Sequence, residues 1–179
     1  GSCFPKDTLA LVKTAQDAGA PLRIIETVVD VNAKRKAQMA EKIIAACGGS
    51  VAGKTIAILG VTFKPNTDDM RDSPSLVIVP ALQAAGATIR AFDPEGMAEA
   101  KPLLSHVDWC DDAYDAMRDA DAVALLTEWN QFRALNLERV KELLKVPLMI
   151  DLRNVYNPDE MAQLDFDYSC LGRPMNTPL

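Results

Sequence analysis

The sequence predicts an α/β protein in which a doubly wound parallel sheet is preceded by a long helix. Three observations carry this. From residue 53 onward, short apolar runs bounded by glycine or Asp-Pro alternate with helical patterns. That alternation implies parallel pairing with right-handed crossovers. Upstream, residues 21–47 place apolar side chains at threes and fours, which marks one long amphipathic helix.

Taken in order, Pro5 fixes a turn and an apolar helical pattern begins with Leu9, so residues 8–19 read as a short helix stopped by Gly19 and Pro21. The helix at 21–47 runs through Ile24, Ile25, Val28, Val29, Met39, Ile43 and Cys47, and Gly48-Gly49 closes it. It is about twice the mean helix length. Packing in a core and service as a domain linker or dimer seam are both open to it. KTIAILGV is the first buried strand, and SPSLVIVPALQAAGA is a helix with Ser73 as cap, Pro74 at its first position and Gly86 at its end. TIRAFDP is a second strand, DDAYDAMRDA a helix, and DAVALLT a third strand. LNLERVKELLK is a helix capped by Asn136, VPLMIDLRN a fourth strand, and FDYSCLG a short last one. Residues 1–50 therefore read as the tail of a helical domain, and 51–179 as the α/β domain.

Composition narrows the function. Net charge is −6 with both signs dispersed, and without a basic patch nucleic acid is not an expected partner. Apolar runs are too short or interrupted to span a bilayer, and no stretch reads as a secretory leader. Four cysteines without a CxxC pair, and one histidine at no ligand spacing, speak against a metal site and against a disulfide framework. The expected setting is reducing and cytoplasmic. The chain does not begin with Met, so its start is expected to be a cut from a longer protein or a cloning remnant.

ILGVTFKPNTDDMRDSPS (58–75) holds most of the chemical information. A strand ends at Gly60, a charged loop follows, and a helix begins near Pro74. Ligands in open parallel sheets sit at the carboxyl ends of strands near helix starts. Lys64 and Arg71 there suit phosphate or pyrophosphate, although a solvated loop whose charges pair with Asp68, Asp69 and Asp72 has the same composition. The G-x-G-x-x-G fingerprint is missing after this strand, so the fold is Rossmann-like without the usual NAD signature. Cys3 is the second candidate. A cation or helix start lowers a thiol pKa; Lys6 is near, and Asp7 suits a base or a cap. An inert surface cysteine remains the alternative. Cys47, Cys110, Cys170 and His106 need no function, and Trp129 with Phe132 reads as aromatic packing at a helix start.

GSCFPKD and GVTFKPNTDDMRDSPS, with AFDP, TEW, DLRN and LGRP in order, resemble the UDP-glucose 6-dehydrogenase family, within the UDP-glucose/GDP-mannose dehydrogenases. The resemblance covers essentially the whole chain. It implies a part of an NAD-dependent enzyme whose upstream region carries the NAD domain. It also implies a four-electron oxidation of UDP-glucose to UDP-glucuronate through a cysteine thiohemiacetal and thioester. Cys3 would be the nucleophile, Lys6 would contact the cofactor, and Asp7 would help the hydrolytic water. Phe63, Lys64 and Arg153 would bind the sugar nucleotide, and Arg71 would reach NAD. The helix at 21–47 would form a homodimer contact. A stand-alone nucleotide-sugar-binding module, a GDP-mannose or other UDP-sugar dehydrogenase, and a purely structural passenger domain are the competing expectations.

Overall fold

The computed structural model describes residues 3–173, and of Cys3 its backbone alone. Helices α1 (Cys3–Asp17) and α2 (Arg23–Ala46) come first. Six strands follow: β1 (Thr55–Leu59), β2 (Thr88–Phe92), β3 (Val107–Trp109), β4 (Ala122–Leu125), β5 (Leu148–Asp151) and β6 (Asp167–Cys170). They form one all-parallel sheet in the order β3-β2-β1-β4-β5-β6. Helices α3 (Ser75–Ala84), α4 (Met97–Ala100), α5 (Ala113–Met117), α6 (Asn130–Arg133), α7 (Leu137–Leu143) and α8 (Pro158–Gln163) make the connections. This is the doubly wound architecture expected from the alternation.

The central strands are apolar on both faces because both faces are covered. β4 and β5 are buried at every position. Along β1, Ile56 and Ile58 point to one layer and Ala57 and Leu59 to the other. The first layer joins Ile78, Val79 and Leu82 of α3 to Met39, Ala40 and Ile43 of α2. The second gathers Met117, Phe132, Val140, Met161 and Phe166.

Handedness explains why α2 is needed. Right-handed crossovers moving outward from β1 toward β3 lay α3 and α4 on one face, and those from β4 toward β6 lay the later helices on the other. Part of the first face, over β4 and β5, has no crossover helix of its own. α2 fills it, so Ile43 of α2 lies in the same core as Ala124 and Ile150. Leu22, Ile24 and Val31 remain exposed, Ile24 at 80% and Val31 at 60%.

Several local expectations need correction. α1 starts at Cys3, so Pro5 lies in its first turn, where the missing N–H costs nothing. Ser73 is not a simple cap. Its hydroxyl accepts the Ser75 N–H at 3.3 Å and also donates to the Val61 carbonyl at 2.6 Å, which ties the loop to the end of β1. The strand after β2 is β3, which pairs with β2 at the sheet edge, so DAVALLT supplies the fourth strand rather than the third. α4, α6 and α8 also lie in stretches read as irregular. Asn136 does cap α7, accepting from the Arg139 amide at 3.1 Å.

Gly60 carries φ +82° at the end of β1, and a Cβ there would lie 2.6 Å from Thr127 Cβ. Gly49, at φ +86°, has open space around it. Gly60→Ala is expected to destabilise the fold by about 3 kcal/mol, and Gly49→Ala by only about 1 kcal/mol, because only the first adds a collision to the left-handed strain. Thermal unfolding checks this, and equal shifts for the two variants would refute the close approach to Thr127.

Candidate functional site

The carboxyl edge of the sheet is organised by two buried aspartates. Asp93, at the end of β2, is fully buried. Its Oδ2 accepts the amides of Val61 (2.7 Å) and Thr62 (3.1 Å), the Thr62 hydroxyl (3.2 Å) and the Trp129 indole N–H (3.2 Å). Its Oδ1 accepts the amides of Glu95 and Gly96. One carboxylate thus joins the loops after β1, β2 and β4. Thr127 adds a hydroxyl bond to the Thr62 carbonyl at 2.6 Å.

Asp151, at the end of β5, is also fully buried. Its Oδ1 accepts the Arg153 amide, and its Oδ2 accepts the amides of Val155 and Tyr156 and the Tyr168 hydroxyl at 2.7 Å. Asn154 takes φ +53°, and its side chain exchanges two hydrogen bonds with the backbone of Leu171. The turn DLRN is therefore held from both ends, with Arg153 projecting from it.

Between these anchors lies a cleft of about 600 Å³. Phe63 and Lys64 wall it from the loop after β1, Arg153 from the turn after β5, and Phe4 and Pro5 from the first turn of α1. α2 supplies Asn32, Arg35 and Lys36. Lys36 also reaches the loop, donating to the Asp72 carbonyl at 3.0 Å with the Asp72 carboxylate 3.7 Å away. Four cations and two aromatic rings around one concavity suit a ligand with anionic groups and a planar ring. Arg153 itself is engaged by Glu128, to which Nε and Nη2 donate, the latter at 2.7 Å. Burial raises the Glu128 carboxyl, but the hydrogen bonds and charge of Arg153 bring it below its ordinary value.

The structure brings Phe63, Lys64 and Arg153 together and sets Arg71 apart. Asn66 turns the loop at φ +60°, the Phe63 amide bonds the Asp69 carbonyl at 2.8 Å, and Arg71 emerges on a second cleft. There its guanidinium makes two 2.9 Å bonds to the Asp69 carboxylate, with Asp68 and Glu99 also on the wall. Lys6 and Asp7 face solvent, 3.6 Å apart. The side chain of Cys3 lies outside the described residues. Cys47, Cys110 and Cys170 are buried free thiols, each pushed up by burial. Trp129 and Phe132 are packed inside, as expected. Among the described residues no group of His, Cys, Asp and Glu has the arrangement to hold a metal ion, and no helix is long and apolar enough to cross a membrane.

Sequence reasoning missed Asp93, Asp151, Glu128 and the α2 residues Asn32, Arg35 and Lys36. An aspartate closing an otherwise apolar strand, as in AFDP and LMIDL, is the signal that points to the first two. TEW carries Glu128 as a family landmark but does not say that it meets Arg153, and nothing local marks the α2 residues, since both are set by tertiary placement.

A doubly wound sheet with a cationic cleft at its carboxyl edge defines a nucleotide-binding class of α/β domain. The UDP-binding-domain model of the UDP-glucose/GDP-mannose dehydrogenase family matches residues 57–158, and the central-domain model of the same family matches residues 1–34. The chain belongs to this family. It is 56% identical over 174 residues to the UDP-glucose 6-dehydrogenase of Rhizobium meliloti, covering 97% of this chain and 40% of that protein. It is 44% identical to UDP-glucose 6-dehydrogenase TuaD of Bacillus subtilis, covering 97% of this chain and 38% of that protein. Among solved structures, the NDP-N-acetyl-D-galactosaminuronic acid dehydrogenase of Methanosarcina mazei superposes with a TM-score of 0.83 at 28% identity, over 97% of this chain and 38% of that one. A UDP-glucose dehydrogenase from Pyrobaculum islandicum gives 0.72 at 30% identity, over 84% and 33%. The chain thus spans about 40% of the length of the curated relatives it matches.

Alkaline pH tests the anchor under Arg153. Burial first, and then the nearby Asp151 carboxylate, push the hydroxyls of Tyr156 and Tyr168 well above the ordinary tyrosine value. Both keep their protons in the fold, whereas the unfolded chain releases them near pH 10. Stability is therefore full below that point, and each tyrosine removes about 1.4 kcal/mol per pH unit above it. The buried thiols begin the same decline near pH 8.5. Urea unfolding between pH 9 and 11 is expected to show a steep loss that Tyr168→Phe flattens by one tyrosine's share. An unchanged slope in that variant would remove Tyr168 from the account.

Proposed function

We propose that this chain is the part of an NAD-dependent UDP-glucose 6-dehydrogenase that carries the catalytic-cysteine segment and the UDP-sugar site. One observation carries the reading. The first turn of α1, which Cys3 opens, and the cations of the strand-end loops wall a single cleft. The names of the relatives, and the family's UDP-binding-domain match to residues 57–158, support it.

The roles follow from chemistry. Lys64 and Arg153 bind the diphosphate, and Phe63 offers a face or edge to the nucleotide. Cys3 begins a helix, where the N-terminal dipole favours a thiolate. The 6-hydroxymethyl of the sugar first loses a proton and a hydride to become an aldehyde, and the thiolate then adds to that carbonyl to give a thiohemiacetal. Loss of a second hydride leaves a thioester. Water, aided by Asp7, then releases UDP-glucuronate. The covalent link retains the sugar between the two oxidations.

Bound NAD supplies the hydride acceptor for both oxidations. The residues present offer it only two exposed cations, Lys6 and Arg71, the latter engaged by Asp69. The side chains of Lys6 and Arg71 are 75% and 81% exposed, as cations meeting a pyrophosphate from one side would be. Gly60 backs onto Thr127 rather than onto open space, so no backbone cradle for a dinucleotide forms after β1. A homodimer through residues 21–47 fits the exposed Ile24 and Val31 on α2. A cytoplasmic setting fits the free thiols.

Full-length protein given UDP-glucose and NAD is expected to form two NADH per sugar consumed, and Cys3→Ser to abolish turnover. Lys64→Ala is expected to raise KM for UDP-glucose about 10- to 100-fold, the worth of one charge-assisted hydrogen bond. Parallel assays with GDP-mannose and UDP-N-acetylmannosamine test the substrate. One NADH per sugar, or turnover independent of Cys3, would overturn the covalent route.

A further inference from the structure

Arg153 is held in an unusual way for a ligand-facing arginine. Its Nε and Nη2 are both committed to the Glu128 carboxylate, which leaves three of its five N–H groups, on Nη1 and the outer side of Nη2. Glu128 cannot drift, because both of its neighbours are fixed. Thr127 donates to the Thr62 carbonyl and Trp129 to Asp93. The pair is partly exposed, at 36% for Arg153 and 25% for Glu128, and a pair of that exposure contributes little to folding. A carboxylate beside a cleft suited to anions also opposes the ligand's charge. What the contact supplies is orientation.

We propose that Glu128 is a positioning residue, which grips Arg153 side-on so that its three remaining N–H groups are presented to the diphosphate of the nucleotide sugar. This rests on the reading of the first cleft as the UDP-sugar site. The carboxylate sacrifices some attraction for the anion and in return removes the rotamer search that a free arginine makes on binding. A bidentate grip fixes the guanidinium plane, which a single hydrogen bond does not.

The test uses the full-length protein with Glu128→Ala, Glu128→Gln, Arg153→Ala and the Glu128→Ala/Arg153→Ala double variant. Steady-state KM and kcat for UDP-glucose, and the Kd for UDP by calorimetry, are the readouts. Arg153→Ala is expected to raise KM about 30-fold, and Glu128→Ala about tenfold with kcat within about twofold. Glu128→Gln falls between, since its amide oxygen keeps one acceptor. The double variant is expected to be no worse than Arg153→Ala alone, because Glu128 acts only through Arg153.

An unchanged or lower KM in Glu128→Ala, with KM raised in Arg153→Ala, would overturn the proposal and leave Glu128 as an opposing charge. Effects that multiply in the double variant would also overturn it. An Arg153→Ala variant with normal KM and normal UDP affinity would instead overturn the cleft assignment, and the positioning role with it. Thermal unfolding shows whether each variant folds, and the isosteric Glu128→Gln carries the comparison if the alanine variant does not.

Discussion

Everything at the carboxyl edge of this sheet depends on the buried carboxylate of Asp93. It has no exposure, and its two oxygens accept backbone amides, a hydroxyl and an indole from three separate loops. A buried carboxylate is costly unless its lone pairs are filled, and here neutral donors fill them. The reverse also holds: without Asp93, the amides of Val61, Thr62 and Gly96 would be left without their partner in the interior. The loop that carries Phe63 and Lys64 is therefore fixed at its root, although its far side is charged and open. Asp151 repeats the device three strands away, at the end of β5, for the turn carrying Arg153. Rigid roots beneath exposed charged tips let ligand-facing side chains be placed without a cost of loop ordering at each binding event.

α2 links this edge to the amino-terminal segment. The helix is required by packing, since it covers apolar surface that crossover handedness leaves open. Having been placed there, it presents Asn32, Arg35 and Lys36 to the cleft from the turns beyond its buried stretch at Met39, Ala40 and Ile43. α1 then folds back on α2, bringing Phe4 and Pro5 to the same wall. One helix thus does a structural and a functional task with different turns.

Most of the fold was legible because long elements repeat their signal. Strands β1, β4 and β5 read as compact apolar runs, and Asn136 announced α7. β3 was invisible because three residues of an edge strand, with Asp108 exposed, show no period. α4, α6 and α8 are four to six residues long, fewer than two turns each, and are set by tertiary contacts rather than propensity. Within the site, Lys64 and Arg153 were legible as cations at strand ends. Arg71 was grouped with Lys64 because the two are close in sequence, but the turn at Asn66 sends them to different clefts. Glu128 and the α2 cations were beyond reach, since no local pattern says which polar residue will meet which across the sheet.

The separation of those two clefts also resolves an apparent conflict in charge. A chain of net charge −6 is an unpromising host for a dianionic nucleotide when treated as one average charge. The loop after β1 sorts its charges instead. Lys64 joins Arg35, Lys36 and Arg153 around the first cleft, while Asp68, Asp69 and Glu99 line the second, with Arg71 at its rim. At physiological ionic strength, exposed charges beyond about 8 Å are largely screened, so a ligand in the first cleft feels its own wall far more than the acidic remainder. Two cations of that wall are paired with carboxylates, Arg153 with Glu128 and Lys36 with Asp72, so the charge of Glu128 is engaged by Arg153. Local sorting, enforced by the turn at Asn66 and the grip on Arg153, gives an acidic protein a site suited to anions.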